Sequence, residues 1–163
     1  MRKILKCAAA LAVIAALLLS AAGCGKDYEA VNFTVLDSEL REVELYDLIG
    51  EPIVLNFWAT WCYYCKIEMP HFDEAAKKYT DVTFMMVNYT DGKRETVETA
   101  SAYISDNGYT FPVYYDTALK AADAYAVEAF PTTVFIDADG RIVKTYEGTL
   151  SLDRLEYYID MIR

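Results

Sequence analysis

The chain has 163 residues, with 25 acidic against 15 basic side chains and a net charge of −10. So acidic a chain gains nothing from phosphate backbones or anionic lipid surfaces, and we therefore expect no nucleic-acid partner. The chain also holds four cysteines and a single histidine. Cysteine chemistry is accordingly the first candidate for its function.

The first 23 residues have the organisation of an export signal. Three basic side chains lead into an uninterrupted apolar run from Cys7 to Leu19, which is too short to cross a hydrocarbon core of roughly 30 Å. Small residues then precede Cys24, and the Ala-Gly-Cys ending resembles a bacterial lipobox, in which cleavage precedes the cysteine and its sulfur is acylated. Ordinary signal cleavage near Ala22, with Cys24 unmodified, is the alternative.

We expect residues 1–23 to be removed as a lipoprotein signal peptide. Because that segment carries three basic and no acidic residues, its loss leaves 140 residues with a net charge of −13. The remainder would comprise a tether over residues 24–29 and one domain over residues 30–163. Acyl chains on Cys24 would anchor the protein on the extracytoplasmic side of the bacterial cell membrane.

The domain begins with strand patterns. Residues 31–36 and 42–45 predict a short hairpin, and Ile53–Trp58 is a nearly continuous apolar run of the kind found in strands covered on both faces. An apolar stripe with helical spacing then runs from Cys65 to Tyr79. Residues 82–87 predict a second buried strand.

The second half continues the alternation of helix and strand. A helix is predicted between Arg94 and Asn107, with Asn107-Gly108 as its stop signal. Residues 132–136 and 141–146 flank an Asp-Ala-Asp-Gly turn and predict an antiparallel hairpin. A last helix over residues 152–162 has Ser151 as its N-cap. The elements together predict a mixed α/β sheet with helices on both faces.

The strand that ends at Trp58 leads into Trp61-Cys62-Tyr63-Tyr64-Cys65. A helix that begins at Cys62 would place its sulfur at the positive end of the helix dipole, which lowers a thiol pKa and makes it a nucleophile. Cys65, almost one turn later, is suited to resolve a mixed disulfide. A static disulfide and half of a zinc site are the alternatives.

These motifs carry a family resemblance over essentially the whole mature chain. The cysteine pair with Trp61, together with Phe130-Pro131-Thr132-Thr133, resembles the thioredoxin fold. The strand before Trp61, Lys66-x-Glu68-x-Pro70, and an extra β-α unit around residues 84–115 resemble membrane-anchored thiol-disulfide oxidoreductases of the TlpA/ResA type. The resemblance implies a thioredoxin-like α/β fold with an N-terminal β-hairpin and a central β-α insertion.

The resemblance also implies roles for individual residues. Glu68 matches the position of a glutamate in ResA-like proteins and lies three residues after Cys65, so it can reach back towards the thiols and relay a proton. A solvated helix glutamate is the alternative. Pro131 resembles the cis-proline of the fold, with an ordinary trans proline as the alternative. We expect the client protein to contact Trp61, Tyr63, Tyr64, Phe130, Pro131 and Thr132.

By resemblance, the function is reduction of disulfides in exported proteins, such as apocytochrome c. Electrons would come from a transmembrane thiol donor of the CcdA type, and the Cys62–Cys65 pair would be the only redox centre, with no bound cofactor or metal. We expect a monomer. A disulfide oxidase or isomerase, a thiol peroxidase that uses Thr60, and a non-enzymatic metal carrier are the competing functions.

Overall fold

The computed structural model describes residues 29–163, so the expected signal peptide, Cys24 and nearly all of the expected tether lie outside the described residues. Seven strands form a single sheet in the order β2-β1-β5-β4-β3-β6-β7. Strands β3, β4 and β5 are parallel, and every other neighbouring pair is antiparallel. The strands are β1 (Thr34–Leu36), β2 (Glu42–Glu44), β3 (Ile53–Trp58), β4 (Thr83–Asn88), β5 (Val113–Tyr115), β6 (Thr132–Ile136) and β7 (Ile142–Glu147).

Residues 29–163 also contain four α-helices and one 3₁₀ turn (Leu45–Leu48), of which the last helix follows β7. Within residues 29–163 no helix has the length and apolar character needed to cross a membrane. The helices are α1 (Tyr63–Lys78), α2 (Val97–Asn107), α3 (Lys120–Ala124) and α4 (Leu152–Ile162).

The central strand β3 is buried at every position, as its apolar run predicts. Its alternate residues Val54 and Trp58 pack into a cluster with α1, α2 and α4 on one face of the sheet. Leu55 and Phe57 pack on the other face, with α3 and the N-terminal hairpin. The predicted mixed sheet with helices on both faces is therefore confirmed.

Most element boundaries lie within one residue of their predictions. Strand β1 is an exception, because it begins at Thr34 and not at residue 31. Helix α2 begins at Val97 rather than at Arg94, because Thr96 caps it by accepting a hydrogen bond from the Thr99 N–H. Gly108 ends that helix with a φ of 67°, in the left-handed region that glycine tolerates. Strand β5 and helix α3 were not predicted, since three and five residues are too few to show a period.

Candidate active site

A disulfide joins Cys62 and Cys65 at the start of α1. Cys62 is the N-cap of the helix, and its Sγ accepts a hydrogen bond of 3.0 Å from the Cys65 N–H. The unpaired N–H groups and the dipole at a helix start favour a thiolate over a thiol. Cys62 keeps 5% of its surface exposed and Cys65 none. Cys62 is thus the sulfur that an incoming disulfide can approach.

Glu68 lies one turn further along α1 and is 1% exposed. Its Oε1 accepts a hydrogen bond of 2.9 Å from Asn56 Nδ2, and its Oε2 accepts one of 2.8 Å from the Leu150 N–H. Burial raises the pKa of Glu68 to about 8, and these two hydrogen bonds offset only part of that effect. The alternative of a solvated glutamate is therefore wrong. Glu68 is therefore a buried carboxyl that holds its proton more tightly than an ordinary glutamate.

Asn56, the amide partner of Glu68, pairs with Thr133 across strands β3 and β6. Its Nδ2 also donates to Thr133 Oγ1 at 3.0 Å, whereas its Oδ1 is buried and has no hydrogen-bond partner within residues 29–163. Rotation of the amide by half a turn would let Oδ1 accept from a protonated Glu68 and from the Thr133 hydroxyl. Asn56 can therefore serve Glu68 in either protonation state.

The Phe130–Pro131 peptide bond is cis, so the trans alternative is wrong. Pro131 is buried, and its carbonyl accepts a hydrogen bond of 2.8 Å from the Gly148 N–H. Phe130 is half-buried and meets Trp61 edge to face, with ring centroids 5.5 Å apart. The structure thus brings into contact Trp61 and Phe130, two predicted site residues that are far apart in the sequence.

The remaining predicted contact residues differ in their exposure. Tyr63 and Tyr64 are 68% and 61% exposed beside Cys62, and their rings meet edge to face. Thr132 is buried, and its hydroxyl donates to the Ala129 carbonyl oxygen at 2.8 Å. The two tyrosine rings are therefore open to solvent beside Cys62, whereas the Thr132 side chain is covered, and the predicted contacts with a client stay predictions.

Sequence reasoning missed three contributors to the site. The backbone of Leu150 binds Glu68, and no residue-type pattern marks a backbone donor in advance. Glu95 is completely buried and hydrogen-bonded to Thr60, just before the cysteines. Arg94 lies over the Trp61 ring, with its guanidinium carbon 4.2 Å from the ring centroid. For Arg94 and Glu95, the only sequence signal was that a basic and an acidic residue stand side by side just before the inserted helix.

A cysteine pair at a helix start after a buried parallel strand, a buried acid one turn later and a cis-proline before the final hairpin define a thioredoxin-fold dithiol–disulfide oxidoreductase. The cysteine pair and the acid lie on α1, and the cis-proline directly precedes β6, so the combination joins distant parts of the chain and is more specific than the cysteine spacing alone.

Comparison with known proteins agrees with this class. The AhpC/TSA family matches residues 27–145. The thiol-disulfide oxidoreductase ResA of Halalkalibacterium halodurans is 34% identical over 137 residues, which cover 83% of this chain and 76% of the relative. ResA of Bacillus subtilis is 32% identical over 162 residues, covering 98% of this chain and 88% of the relative.

Among solved structures, the pneumococcal exposed lipoprotein thioredoxin from Streptococcus pneumoniae superposes with a TM-score of 0.70 at 29% identity. The superposition covers 80% of this chain and 99% of that protein. The chain belongs to the AhpC/TSA family and, within it, to the ResA-type thiol-disulfide oxidoreductases. The predicted fold and enzyme class are thereby confirmed.

Proposed function

We propose that this enzyme works as a reductase, transferring electrons from the Cys62–Cys65 dithiol to disulfides of exported proteins. The observation that carries the proposal is the buried Glu68, which has a pKa near 8 and lies three residues after the fully buried Cys65. A base at that position can take the proton that Cys65 must lose before it attacks.

The reaction begins when the Cys62 thiolate attacks one sulfur of the client disulfide. The client's other sulfur leaves as a thiolate and takes a proton from solvent, and Cys62 remains joined to the client. Cys65 then gives its proton to Glu68 and attacks Cys62 Sγ, which releases the second client thiolate. The second client thiolate also takes a proton from solvent, so the client gains two electrons and two protons, and the enzyme ends with the disulfide and a protonated Glu68. Because burial raises the pKa of Glu68 to about 8, the share of Glu68 that is a carboxylate and can accept this proton increases as the pH rises towards 8.

The setting of this reaction follows from the N-terminal sequence. We infer that the chain is exported, that residues 1–23 are removed, and that acylated Cys24 holds the domain on the extracytoplasmic face of the membrane. The lipoprotein thioredoxin of Streptococcus pneumoniae, similar in fold at 29% identity, supports this setting. An intact-mass spectrum of the purified protein with an unmodified Cys24 would contradict it.

The partners follow from the direction of electron flow. A reductase outside the cytoplasm must be re-reduced across the bilayer, so we propose a transmembrane thiol donor of the CcdA type. For the client we propose oxidised apocytochrome c, whose haem-attachment motif is Cys-x-x-Cys-His. Faster reduction of an oxidised Cys-x-x-Cys-His peptide than of the same peptide with the histidine replaced would support this client, and equal rates would exclude specific recognition of the motif.

The first test is the reduction potential of the Cys62–Cys65 pair, measured against glutathione and dithiothreitol. A value more negative than about −230 mV supports a reductase, and one above about −180 mV supports the oxidase or isomerase alternative. Retention of disulfide reductase activity in Cys62→Ala would contradict the mechanism. A peroxide-consumption assay excludes or supports the peroxidase alternative, for which Thr60 has the right spacing but donates its hydroxyl to Glu95.

A further inference from the structure

The loop between β4 and α2 is held in a fixed shape by one side chain. Asp91 Oδ1 accepts hydrogen bonds from the backbone N–H groups of Lys93, Arg94 and Glu95, at 2.8, 2.8 and 2.9 Å. The Gly92 N–H returns a hydrogen bond of 2.9 Å to the Glu95 carbonyl oxygen. The loop therefore presents the Arg94 and Glu95 side chains from a defined backbone rather than from a mobile connection.

Glu95 directs a completely buried carboxylate at the segment before the cysteines. Its Oε1 accepts hydrogen bonds from the Thr60 N–H at 3.0 Å and from Asn88 Nδ2 at 2.8 Å. Its Oε2 accepts a hydrogen bond of 2.6 Å from the Thr60 hydroxyl. A buried carboxylate is tolerated only when it is well hydrogen-bonded, and two of these three bonds come from Thr60.

Thr60 belongs to the turn that delivers Cys62 to the helix start. In that turn the Cys62 N–H donates to the Ala59 carbonyl oxygen at 3.1 Å, so residues 59–62 move as one unit. Arg94 covers the Trp61 ring in the same turn. The loop thus holds the turn at two adjacent residues, through a buried carboxylate and through a cation–π contact.

We propose that Glu95 is a positioning residue that acts through Thr60 to hold Cys62 at the N-terminus of α1, where its thiolate is stabilised. The proposal rests on the proposed function only in taking Cys62 as the attacking sulfur. The stabilisation of a thiolate by helix N–H groups depends on their alignment and declines within the first turn. Release of the turn at residues 59–62 would therefore lower the fraction of Cys62 present as thiolate.

Two substitutions separate position from charge. In Glu95→Gln the amide oxygen can still accept from the Thr60 N–H, and the amide nitrogen can donate to the Thr60 oxygen, so the turn stays attached without the charge. In Glu95→Ala every one of these contacts is lost. The difference between the two variants therefore measures positioning, because neither of them carries the carboxylate charge.

The readout is the alkylation rate of Cys62 in the reduced full chain as a function of pH, followed by mass spectrometry of the Cys62 peptide. We expect Glu95→Ala to react about 5- to 10-fold more slowly than Glu95→Gln at pH 7, consistent with the loss of the neutral hydrogen bonds that glutamine keeps with Thr60. We expect Glu95→Gln to stay within about twofold of the wild type. Glu98→Gln, an exposed glutamate in the first turn of α2, is the matched control.

Equal alkylation rates for folded Glu95→Ala and Glu95→Gln would overturn the proposal. If Glu95→Ala does not fold, Thr60→Val and Thr60→Ser decide, since only valine removes the hydroxyl donor. A slower Thr60→Val then supports positioning, and equal rates reject it. Alkylation needs no client, so a wild type that reduces no disulfide would refute the proposed function while leaving this result intact.

Discussion

Two buried glutamates serve the disulfide, and they are bound in different ways. Glu68 follows Cys65 on α1 and accepts two hydrogen bonds, from Asn56 and from the Leu150 N–H. Glu95 contacts the segment before Cys62 and accepts three, two of them from Thr60. Both side chains are buried, so burial alone does not distinguish a glutamate that transfers a proton from one that positions a turn.

The difference lies in the asparagine that each carboxyl contacts. The Asn56 Oδ1 has no hydrogen-bond partner within residues 29–163, and reversal of the amide would let it accept a hydrogen bond from a protonated Glu68. Asn88 cannot do the same at no cost, because its Oδ1 already accepts a hydrogen bond of 2.8 Å from the Thr90 hydroxyl. Reversal of the Asn88 amide would therefore break a hydrogen bond to its oxygen, whereas reversal of the Asn56 amide breaks none to its oxygen within residues 29–163. A buried acid transfers protons when its neighbours can serve both of its forms.

The largest expected effect is on stability against pH. Because burial raises the pKa of folded Glu68 to about 8 from an ordinary 4.5, the folded protein binds the proton more tightly than the unfolded chain. This contribution to stability is complete below about pH 4.5 and is lost as the pH rises towards 8. The free energy of unfolding of the wild type should fall, relative to Glu68→Gln, by on the order of 4 kcal/mol over that range.

Denaturant unfolding of the oxidised protein at closely spaced pH values measures this difference. Glu74→Gln, on the exposed side of the same helix, should parallel the wild type. Parallel curves for the wild type and Glu68→Gln would show that Glu68 does not titrate between pH 4.5 and 8, and the contrast with Glu95 would disappear.

The next effect is on turnover. Without its carboxylate, Glu68→Gln cannot accept the Cys65 proton, so disulfide reduction should slow by about 10- to 100-fold at pH 8, within the range of general base catalysis. Alkylation of Cys62 should change much less, because that sulfur is stabilised by the helix start. The measurement is the pH profile of turnover for the wild type, Glu68→Gln and Glu74→Gln. An unchanged profile in Glu68→Gln would remove Glu68 from the proton path.

A change in the surroundings of Asn88 tests the comparison between the two asparagines more directly. Thr90→Val removes the hydroxyl that fixes Asn88, and leaves Asn88 with the unpaired oxygen that Asn56 has. Loss of this buried hydrogen bond should cost about 1 kcal/mol of unfolding free energy at every pH, and Thr90→Ser should restore most of it. Equal stability of the two variants would mean that Thr90 does not fix the Asn88 amide.

Sequence reasoning reached the first of these glutamates and not the second, for a physical reason. Glu68 shares a helix with Cys65, and helical spacing alone predicts that i and i+3 side chains lie on one face. Glu95 is 35 positions from Thr60, and only the path of the inserted unit brings them together. Contacts within one element follow from local periodicity, but contacts between elements require the three-dimensional path of the chain.

The same distinction explains the rest of the fold. The buried strand Ile53–Trp58 and the capped helix after Ser151 carry strong local patterns, and both have the predicted bounds. Strand β5 owes its place to pairing with β4 and β1, and three residues hold too little pattern to predict it. The Asn56 Oδ1, which has no hydrogen-bond partner within residues 29–163, owes this to neighbours from other elements and has no sequence signal.

The smallest expected effect is the coupling between the two glutamates. Glu68 and Glu95 share no hydrogen-bond partner: one is bound by Asn56 and the Leu150 N–H, the other by Thr60 and the Asn88 amide. Substitutions without shared partners are usually additive, so unfolding free energies of Glu68→Gln and Glu95→Gln should sum in the double variant to within about 0.5 kcal/mol.

The same comparison of the two single variants with the double variant can be made for the reduction potential of the disulfide. A coupling above about 1 kcal/mol in either measurement would show that the two carboxyls act as one network across the cysteine pair. Additivity would instead mean that proton transfer from Cys65 to Glu68 and positioning of Cys62 are independent. In that case the inserted β-α unit could vary in sequence without disturbing the proton path, provided that a side chain in the place of Glu95 still holds the Thr60 turn.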